Sequence, residues 1–159
     1  MTPIQDTGSR RSTNESYLRD GRAPVPASSN TSRVMRANKG RDTGPELLLR
    51  RQLIQLGTTG YRLHRSDVLG RPDVSFRRKK VAVFVNGCFW HRCPHCRLPL
   101  PRTHVEFWSE KFAANRRRDA VKTGLLIKAG WKVLVLWECE IRKNPLKAAQ
   151  KVGRALGQP

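Results

Sequence analysis

Four cysteines have the spacing of ligands to a metal ion. Cys88, Cys93 and Cys96 form a C-x4-C-x2-C pattern in one short segment, and Cys139 follows much later in the chain. Structural zinc sites are closed tetrahedra of Cys and His ligands. A metal shared with a distant fourth cysteine would fix the loop to the rest of a small domain. It would add stability where the hydrophobic core is too small to supply it. The spacing therefore favours zinc over buried free thiols, with His95 as a reserve ligand.

Acidic residues and histidines are scarce, at 12 and 4 respectively, so each one is informative. Asp73 begins a predicted strand, where its carboxylate could bind a hard cation such as Mg²⁺. Alternatively, it could form a hydrogen bond with the backbone of its own turn. Glu46 is explained by a helix capping box. His91 lies among the cysteines and could be a zinc ligand, a packed side chain or a general base. Its position beside the cysteines favours the ligand interpretation.

The charge balance points to a polyanion as partner. Lys and Arg number 32 against 12 Asp and Glu, which gives a formal net charge of +20. Such an excess attracts polyanions, of which nucleic acid is the commonest, and the alternative is a merely basic surface. No apolar run approaches the roughly 20 residues that span a bilayer. We therefore expect a cytoplasmic, nucleoid-associated protein with reduced cysteines and no membrane partner.

Composition divides the chain into a tail and one domain. Residues 1–32 are rich in Ser, Thr, Pro, Gly and Asn and hold few large apolar side chains. Such a segment cannot bury enough apolar surface to offset its ordering entropy, which predicts a disordered tail. Residues 33–159 hold 28 basic and 9 acidic side chains. The positive charge therefore belongs to the predicted domain and not to the tail.

Local signals in the first half of this domain predict a helix followed by short strands. Residues 43–46 (Thr-Gly-Pro-Glu) form a capping box with Pro in the first turn, and Gly57 can end the helix. Residues 61–64 are expected to form a short strand. Two further strands are predicted at 73–76 and 81–85, joined by a turn of four basic residues.

The second half is predicted to alternate between helix and strand. Residues 86–103 show no regular period. A second capping box at residues 103–106 is expected to begin a long helix that runs to about Ala129, where a glycine follows. A strand at 131–137 and a last helix after Pro145 complete the pattern. The sum predicts an α/β domain with a mixed β-sheet flanked by helices.

Aromatic side chains stand close to the cysteines. Phe89 and Trp90 are an apolar pair in an otherwise polar loop, and Trp108 lies on the predicted long helix. Aromatic rings can wedge between base steps or stack on extruded bases. More often such rings are part of the core. The sequence pattern alone leaves both interpretations open.

Taken in order, these residues resemble the Vsr endonuclease family, whose members start very short patch repair of DNA. The resemblance covers roughly residues 33–145 and is most specific at residues 87–91, the run Gly-Cys-Phe-Trp-His. The motifs that carry it are Asp42-Thr43-Gly44-Pro45-Glu46, Gly70-Arg71-Pro72-Asp73, residues 83–93, Glu106-Phe107-Trp108, Lys111, Asn115, Asp119, Gly130-Trp131, Leu134 and Trp137-Glu138.

The resemblance implies a fold and an activity. The fold would be that of the type II restriction endonucleases, a mixed sheet flanked by helices with a structural zinc site. The activity would be a nick in duplex DNA, made 5′ of the thymine of a T:G mismatch that arises when 5-methylcytosine deaminates. The reaction would be Mg²⁺-dependent hydrolysis of a phosphodiester.

The resemblance also implies roles for individual residues. Asp73 matches the aspartate that binds Mg²⁺ in the family, and the backbone carbonyl of Val85 would be a second ligand. His91 matches the catalytic histidine, the general base for the attacking water. Glu46 matches an acidic residue that assists the metal site through a water molecule. Four cysteines would form the structural zinc site: Cys88, Cys93, Cys96 and Cys139.

Contacts to DNA follow from the same resemblance. Phe89, Trp90 and Trp108 match aromatic residues that enter the duplex beside the mismatch, and Lys111 and Asn115 match further DNA-contacting positions. Basic segments would hold the phosphate backbone, although some of their side chains are expected to be solvated only. These segments are residues 77–80 and 116–118.

The sequence departs from the family pattern at three places. Asn86 occupies a catalytic position where members of the family carry an acidic residue or a histidine, and a neutral amide is a weaker ligand and a poor base. Cys93 stands where some members have a histidine ligand, a change that preserves zinc chemistry. The spacing between Cys93 and Cys96 varies among members, which keeps His95 as the reserve ligand.

Two alternatives to mismatch repair remain open at the level of sequence. One is a mismatch-independent nicking nuclease of a restriction-modification or defence system. The other is a zinc-containing DNA-binding protein whose catalytic site has decayed through Asn86, although the joint presence of Asp73, Glu46 and His91 argues against it. In each case the partner is double-stranded DNA. We expect a monomer, with mismatch-repair factors as further partners if the chain acts in repair.

Overall fold

The computed structural model describes residues 39–158 together with Ser29 and Arg33, so the expected tail falls outside the described residues apart from Ser29. Within this part of the chain, no helix has the length and apolarity required to cross a membrane. The helices are α1 (Gly44–Gln55), α2 (Val105–Lys128), α3 (Glu138–Lys143) and α4 (Pro145–Ala155), and the strands are β1 (Arg62–Leu63), β2 (Val74–Phe76), β3 (Val81–Asn86) and β4 (Lys132–Trp137).

The four strands form one mixed sheet in the order β1-β2-β3-β4. β1 and β2 are antiparallel, with Leu63 opposite Val74, and β2 and β3 are antiparallel, with Val74 opposite Val83. β3 and β4 are parallel, with Val83 opposite Leu134. A parallel pair needs a crossover connection, and α2 lies within that connection. The predicted mixed sheet is therefore confirmed.

Helices cover both faces of the sheet because residues of the central strands alternate between two cores. On one face, Val81 and Val83 of β3 pack with residues of α1, α3 and α4. On the other face, Ala82 packs with Leu126 of α2. The larger core consists of Leu49, Leu53, Val74, Phe76, Val81, Val83, Leu136, Ile141, Ala148, Ala149 and Val152.

The start of α1 follows the sequence signal closely. The Thr43 side chain accepts a hydrogen bond from the backbone of Glu46, and the Glu46 carboxylate accepts one from the backbone of Thr43. The helix ends before Gly57, whose φ of 67° is readily reached only by glycine. The predicted capping box and helix stop are both confirmed.

Two local predictions differ from the structure. The capping box at residues 103–106 is wrong, because α2 begins after His104, which has left-handed backbone angles and makes no side-chain capping bond. The short helix α3 was not predicted, since six residues are too few to show a helical period. The irregular segment before α2, the strand β4 and the final helix after Asn144 agree with the predictions.

Candidate active site and metal centre

Asp73 connects the start of β2 to the end of β3. It directly precedes β2, and its Oδ2 accepts a hydrogen bond of 2.7 Å from the backbone N–H of Val85 in β3. Burial raises the pKa of Asp73 to about 6, because the carboxylate loses hydration and the Val85 bond offsets only part of that loss. A buried carboxylate with an elevated pKa gains from a nearby cation.

His64 lies between the two carboxylates of the expected metal site. Its Nδ1 is 3.6 Å from Asp73 Oδ1, and its Nε2 is 3.3 Å from Glu46 Oε2. The Nε2 atom is buried and has no hydrogen-bond partner of acceptable geometry among the described residues. The sequence motifs assigned His64 only to a short strand. Its rarity, as one of four histidines, is the signal that could have marked it.

Glu46 combines the helix cap with a place at this site. Its Oε1 accepts a bond of 2.8 Å from the Thr43 hydroxyl, and its Oε2 accepts one of 3.1 Å from the Asp42 N–H while facing His64. Asp42, Glu46 and His64 offer ligand atoms that all lie within 4.8 Å of one another and could hold a metal ion. The Glu46 side chain therefore links the start of α1 to the pocket around Asp73.

A cavity of about 440 Å³ opens in front of Asp73. Carboxylate oxygen and imidazole nitrogen suit a divalent cation, with oxygen the preferred donor for Mg²⁺. Three cationic side chains share the cavity and would attract a phosphate. The residues lining the cavity are Gly40, Arg41, His64, Gly70, Arg71, Asp73 and Lys122.

His91 has the geometry of an oriented imidazole. Its backbone N–H donates to the carbonyl of Gly87 at 3.2 Å, and its Nδ1 is 2.5 Å from Asp119 Oδ2 on α2. A carboxylate at this distance favours a proton on Nδ1, which leaves Nε2 free to accept another proton. His91 is not part of the group formed by the four cysteines. Its environment therefore fits the general base better than the ligand suggested by spacing.

Asp119 orients His91. The sequence motifs include Asp119 but predict no role for it. It stands alone among basic residues, directly after residues 116–118 (Arg-Arg-Arg), and an isolated carboxylate there is the signal that could have marked it. One helical turn earlier, Asn115 donates from Nδ2 to the carbonyl of Trp90 at 2.9 Å. Asn115 and Asp119 thus hold the loop and His91 from one face of α2.

The four cysteines come together as the sequence spacing suggested. Their Sγ atoms all lie within 4.8 Å of one another, and Cys93 Sγ is 3.7 Å from Cys139 Sγ. Burial raises the pKa of the Cys88 thiol. At Cys93 burial also acts to raise the pKa, but the N–H groups of Cys96 and His95 stabilise the thiolate and the pKa is lowered. Four sulfurs in one closed cluster are compatible with zinc.

The secondary structure explains how a distant cysteine reaches this loop. Cys139 lies in the first turn of α3, which follows β4 directly, and its N–H donates to Cys88 Sγ at 3.3 Å. The N–H of Cys88 donates to Glu138 Oε2, also at 3.3 Å. The reserve ligand His95 is exposed and is not part of the group. The loop is thus fixed at the carboxyl ends of β3 and β4.

The aromatic residues form a cluster beside the cysteines. Phe89 contacts Trp90, Trp108 and Phe112 edge-on, with ring centroids 5.2–5.5 Å apart. Phe89 and Trp90 are half-buried, whereas Trp108 is only 7% exposed. Trp108 is therefore a buried ring against which the two loop rings, Phe89 and Trp90, pack.

The remaining predicted residues range from buried to exposed. Asn86 is buried at the end of β3, opposite Trp137 of β4. Lys111 is half-buried on α2, on the same helix as Asn115. The basic turn at residues 77–80 and the run at 116–118 are exposed, although Arg77 lies 3.5 Å from Asp67 and Arg118 bonds Asn115.

Comparison with known proteins places this site in a family. The family model described as DNA mismatch endonuclease Vsr matches residues 25–98. The type II nicking enzyme V.NaeI of Lentzea aerocolonigenes is 40% identical, with 91% of this chain and 89% of that protein covered. The DNA mismatch endonuclease Vsr of Escherichia coli is 38% identical, with 76% of each chain covered. The chain belongs to the Vsr family.

Membership of the Vsr family makes the chain a DNA endonuclease, a hydrolase that acts on DNA. A further relative is also named a nicking enzyme. The type II nicking enzyme V.XorIIP of Xanthomonas oryzae pv. oryzae is 40% identical, with 68% of this chain and 79% of that protein covered. The mixed sheet with flanking helices is the restriction-endonuclease-like fold expected for a Vsr protein. The Asp73 cavity and the His91–Asp119 pair thus belong to a nuclease.

Proposed function

We propose that this chain nicks duplex DNA 5′ of the thymine of a T:G mismatch, by Mg²⁺-dependent hydrolysis, and so starts very short patch repair. The observation that carries the proposal is the pairing of His91 with Asp119 at 2.5 Å, on the helix that also lines the Asp73 cavity through Lys122. An oriented base and a carboxylate suited to a cation are the two parts that hydrolysis of a phosphodiester requires.

Each residue of the site has its own role in the proposed hydrolysis. Asp73, with the carbonyl of Val85, would hold Mg²⁺, and Glu46 would assist from the end of α1. Bound there, Mg²⁺ supplies positive charge that stabilises the phosphate as it is attacked. His91 takes the proton of the attacking water on Nε2, and Asp119 stabilises the imidazolium that forms. Asn86 contributes an amide that can orient water but cannot serve as the base.

The cysteine cluster is proposed to hold zinc in a structural role. Four thiolates complete a tetrahedron and leave no position for substrate. The cluster ties the loop that carries Phe89, Trp90 and His91 to α3. Zinc would thus fix the base and the aromatic rings relative to the sheet.

Mismatch recognition is proposed to rest on the loop aromatics. Phe89 and Trp90 are half-buried and rest on Trp108, so they can enter a groove with support from behind. A mispaired step is easier to unstack than a paired one, which lowers the cost of inserting a ring. Lys111, Asn115 and the basic segments would hold the backbone on either side.

Mismatch-independent nicking is the second candidate function. Relatives named type II nicking enzymes, among them V.NaeI and V.XorIIP, reach 40% identity and favour it. The decayed DNA-binding protein is disfavoured, because Asp73 is hydrogen-bonded to Val85, His91 is paired with Asp119, and Glu46 lies 3.3 Å from His64. Mismatch repair is preferred because the family model that matches the chain is that of a mismatch endonuclease.

Cleavage of end-labelled duplexes separates these candidates. The purified protein is incubated with Mg²⁺ and duplexes that carry one T:G mismatch in varied contexts, beside fully paired controls. A nick 5′ of the mismatched thymine and none in paired DNA supports repair. Nicks in paired DNA as well support the mismatch-independent nuclease, and binding without a nick in any context leaves a DNA-binding protein. Trp90→Ala, which removes one ring, should lose mismatch cleavage and keep its fold.

A further inference from the structure

We infer that Lys122 is a catalytic residue of this site, which contacts the scissile phosphodiester and stabilises its charge while His91 and the Asp73 cation act. The inference rests on the proposed hydrolysis and adds a residue to it. Neither the sequence motifs nor the comparisons assign a role to this position. Lys122 lines the same cavity as Asp73 and His64.

The geometry of α2 places Lys122 on the functional face of that helix. Asn115, Asp119 and Lys122 follow one another at spacings of four and three residues, which puts their side chains on one helical face. Asn115 holds the carbonyl of Trp90, and Asp119 holds His91. Lys122, one turn further, reaches the Asp73 cavity. The face therefore runs from the aromatic loop, past the proposed base, to the proposed metal site.

The turn before Asp73 leaves space for the lysine stem. A Cβ at Gly70 would lie 3.2 Å from Lys122 Cβ and 3.3 Å from Lys122 Cγ, closer than ordinary contact allows. Gly70 also has a φ of 75°, which side chains rarely adopt. The residue at position 70 is thus a glycine for two independent reasons. The steric reason shows that the Lys122 stem passes directly beside Gly70.

The charge of Lys122 is available to a substrate. In the part of the chain that the structure describes, no carboxylate lies within the 4.0 Å ion-pair distance of its ammonium group, whereas Arg50, Arg65 and Lys151 are each paired. Arg41 and Arg71 share the cavity but are exposed, whereas Lys122 is half-buried and has a packed stem. A positioned and unneutralised cation beside a metal site is suited to bind a phosphate oxygen.

Single-turnover cleavage tests the inference with two methionine variants. Lys122→Met keeps the length of the stem and removes the charge, and Lys128→Met removes an equal charge from an exposed position at the end of the same helix. At saturating DNA and Mg²⁺ we expect Lys122→Met to cut about 100-fold more slowly, and Lys128→Met to cut within about two-fold of the wild type. Equal rates in the two variants would overturn the inference. A wild-type protein that cuts nothing would instead refute the proposed hydrolysis.

A binding measurement distinguishes phosphate contact from loss of packing. With Ca²⁺ in place of Mg²⁺, the affinity is measured for a duplex with a neutral methylphosphonate at the scissile position and for the unmodified duplex. We expect the modification to weaken wild-type binding about five-fold more than it weakens Lys122→Met binding, because both proteins lose the contact between Ca²⁺ and the phosphate but only the wild type also loses the lysine contact. The same loss in both proteins would show that Lys122 does not contact that phosphate.

Discussion

The cysteine cluster and the Asp73 cavity lie in one small domain, and both have groups that bind metals, yet their construction differs. The four sulfurs are gathered within 4.8 Å in a closed set drawn from a loop and a short helix. The Asp73 cavity is lined by carboxylate, imidazole and cations around about 440 Å³ of space. A site closed by four sulfur ligands is typical of structural zinc, whereas an open site with oxygen ligands leaves room for a substrate. The contrast supports the proposal that the first region provides stability and the second the chemistry.

Removal of the Asp73 carboxylate should give the largest effect on cleavage. We expect Asp73→Ala to lower the single-turnover rate by at least about 1,000-fold, because the proposed cation loses its anchor. Zinc content, measured by mass spectrometry, should be that of the wild type. Asp67→Ala, which removes an exposed carboxylate, is the control. Residual cleavage above a few per cent of the wild type would contradict the assignment of chemistry to this region.

Removal of one cysteine should change zinc content and stability, which the Asp73 substitution leaves unchanged. We expect Cys139→Ser to lose zinc and to lower Tm by about 10 °C or more, because the loop is no longer tied to α3. Cleavage should fall as His91 loses its position. Thermal melts with and without added Zn²⁺ check this, and a variant that melts like the wild type would show that the cluster does not stabilise the fold.

A substitution of His64 tests whether its imidazole positions the carboxylates of Asp73 and Glu46. We expect His64→Leu to raise the Mg²⁺ concentration for half-maximal cleavage about 10- to 100-fold, since the imidazole lies between the Glu46 carboxylate at 3.3 Å and the Asp73 carboxylate at 3.6 Å and its removal would let both carboxylates shift. His64→Gln can still donate a hydrogen bond and should recover much of the loss. A change in maximal rate with no change in Mg²⁺ requirement would show that His64 does not position the carboxylates.

The pH dependence of the metal-free protein tests the burial of Asp73. Its pKa is raised from 3.8 to about 6, so the folded chain keeps a proton that the unfolded chain releases between these values. The free energy of unfolding should therefore fall by about 1–3 kcal/mol as the pH rises from 4 to 6. Asp73→Asn should remove most of this slope in urea melts at several pH values. The same protonation should weaken Mg²⁺ binding below about pH 6.

The fold was predictable wherever a local signal decided it. The α1 capping box, the glycine after Leu56 and the alternation in β3 depend on neighbouring residues only. The start of α2 was not predictable in the same way, because the Thr103 signal is overridden by the left-handed backbone of His104. Helix α3 is too short to show a period, and it places Cys139.

The site was predictable in its residue types and not in its pairings. The spacing of Cys88, Cys93 and Cys96 marked a metal cluster, because those residues are close in sequence. The partner of His91 lies 28 residues away and becomes visible only when α2 packs beside the loop. His64 reaches Asp73 and Glu46 through the fold of three separate segments. Such contacts depend on tertiary structure, so no sequence period reveals them.

The most direct test of the two-region account is one measurement on protein passed briefly through a gel-filtration column in EDTA. Zinc is counted in the eluted protein, and nicking of a T:G duplex is then assayed with Mg²⁺ as the only added metal. We expect about one zinc per chain, because a closed thiolate site releases its metal slowly, and full nicking when Mg²⁺ is restored. Protein that nicks fully without zinc, or that needs added zinc and no Mg²⁺ to nick, would contradict it.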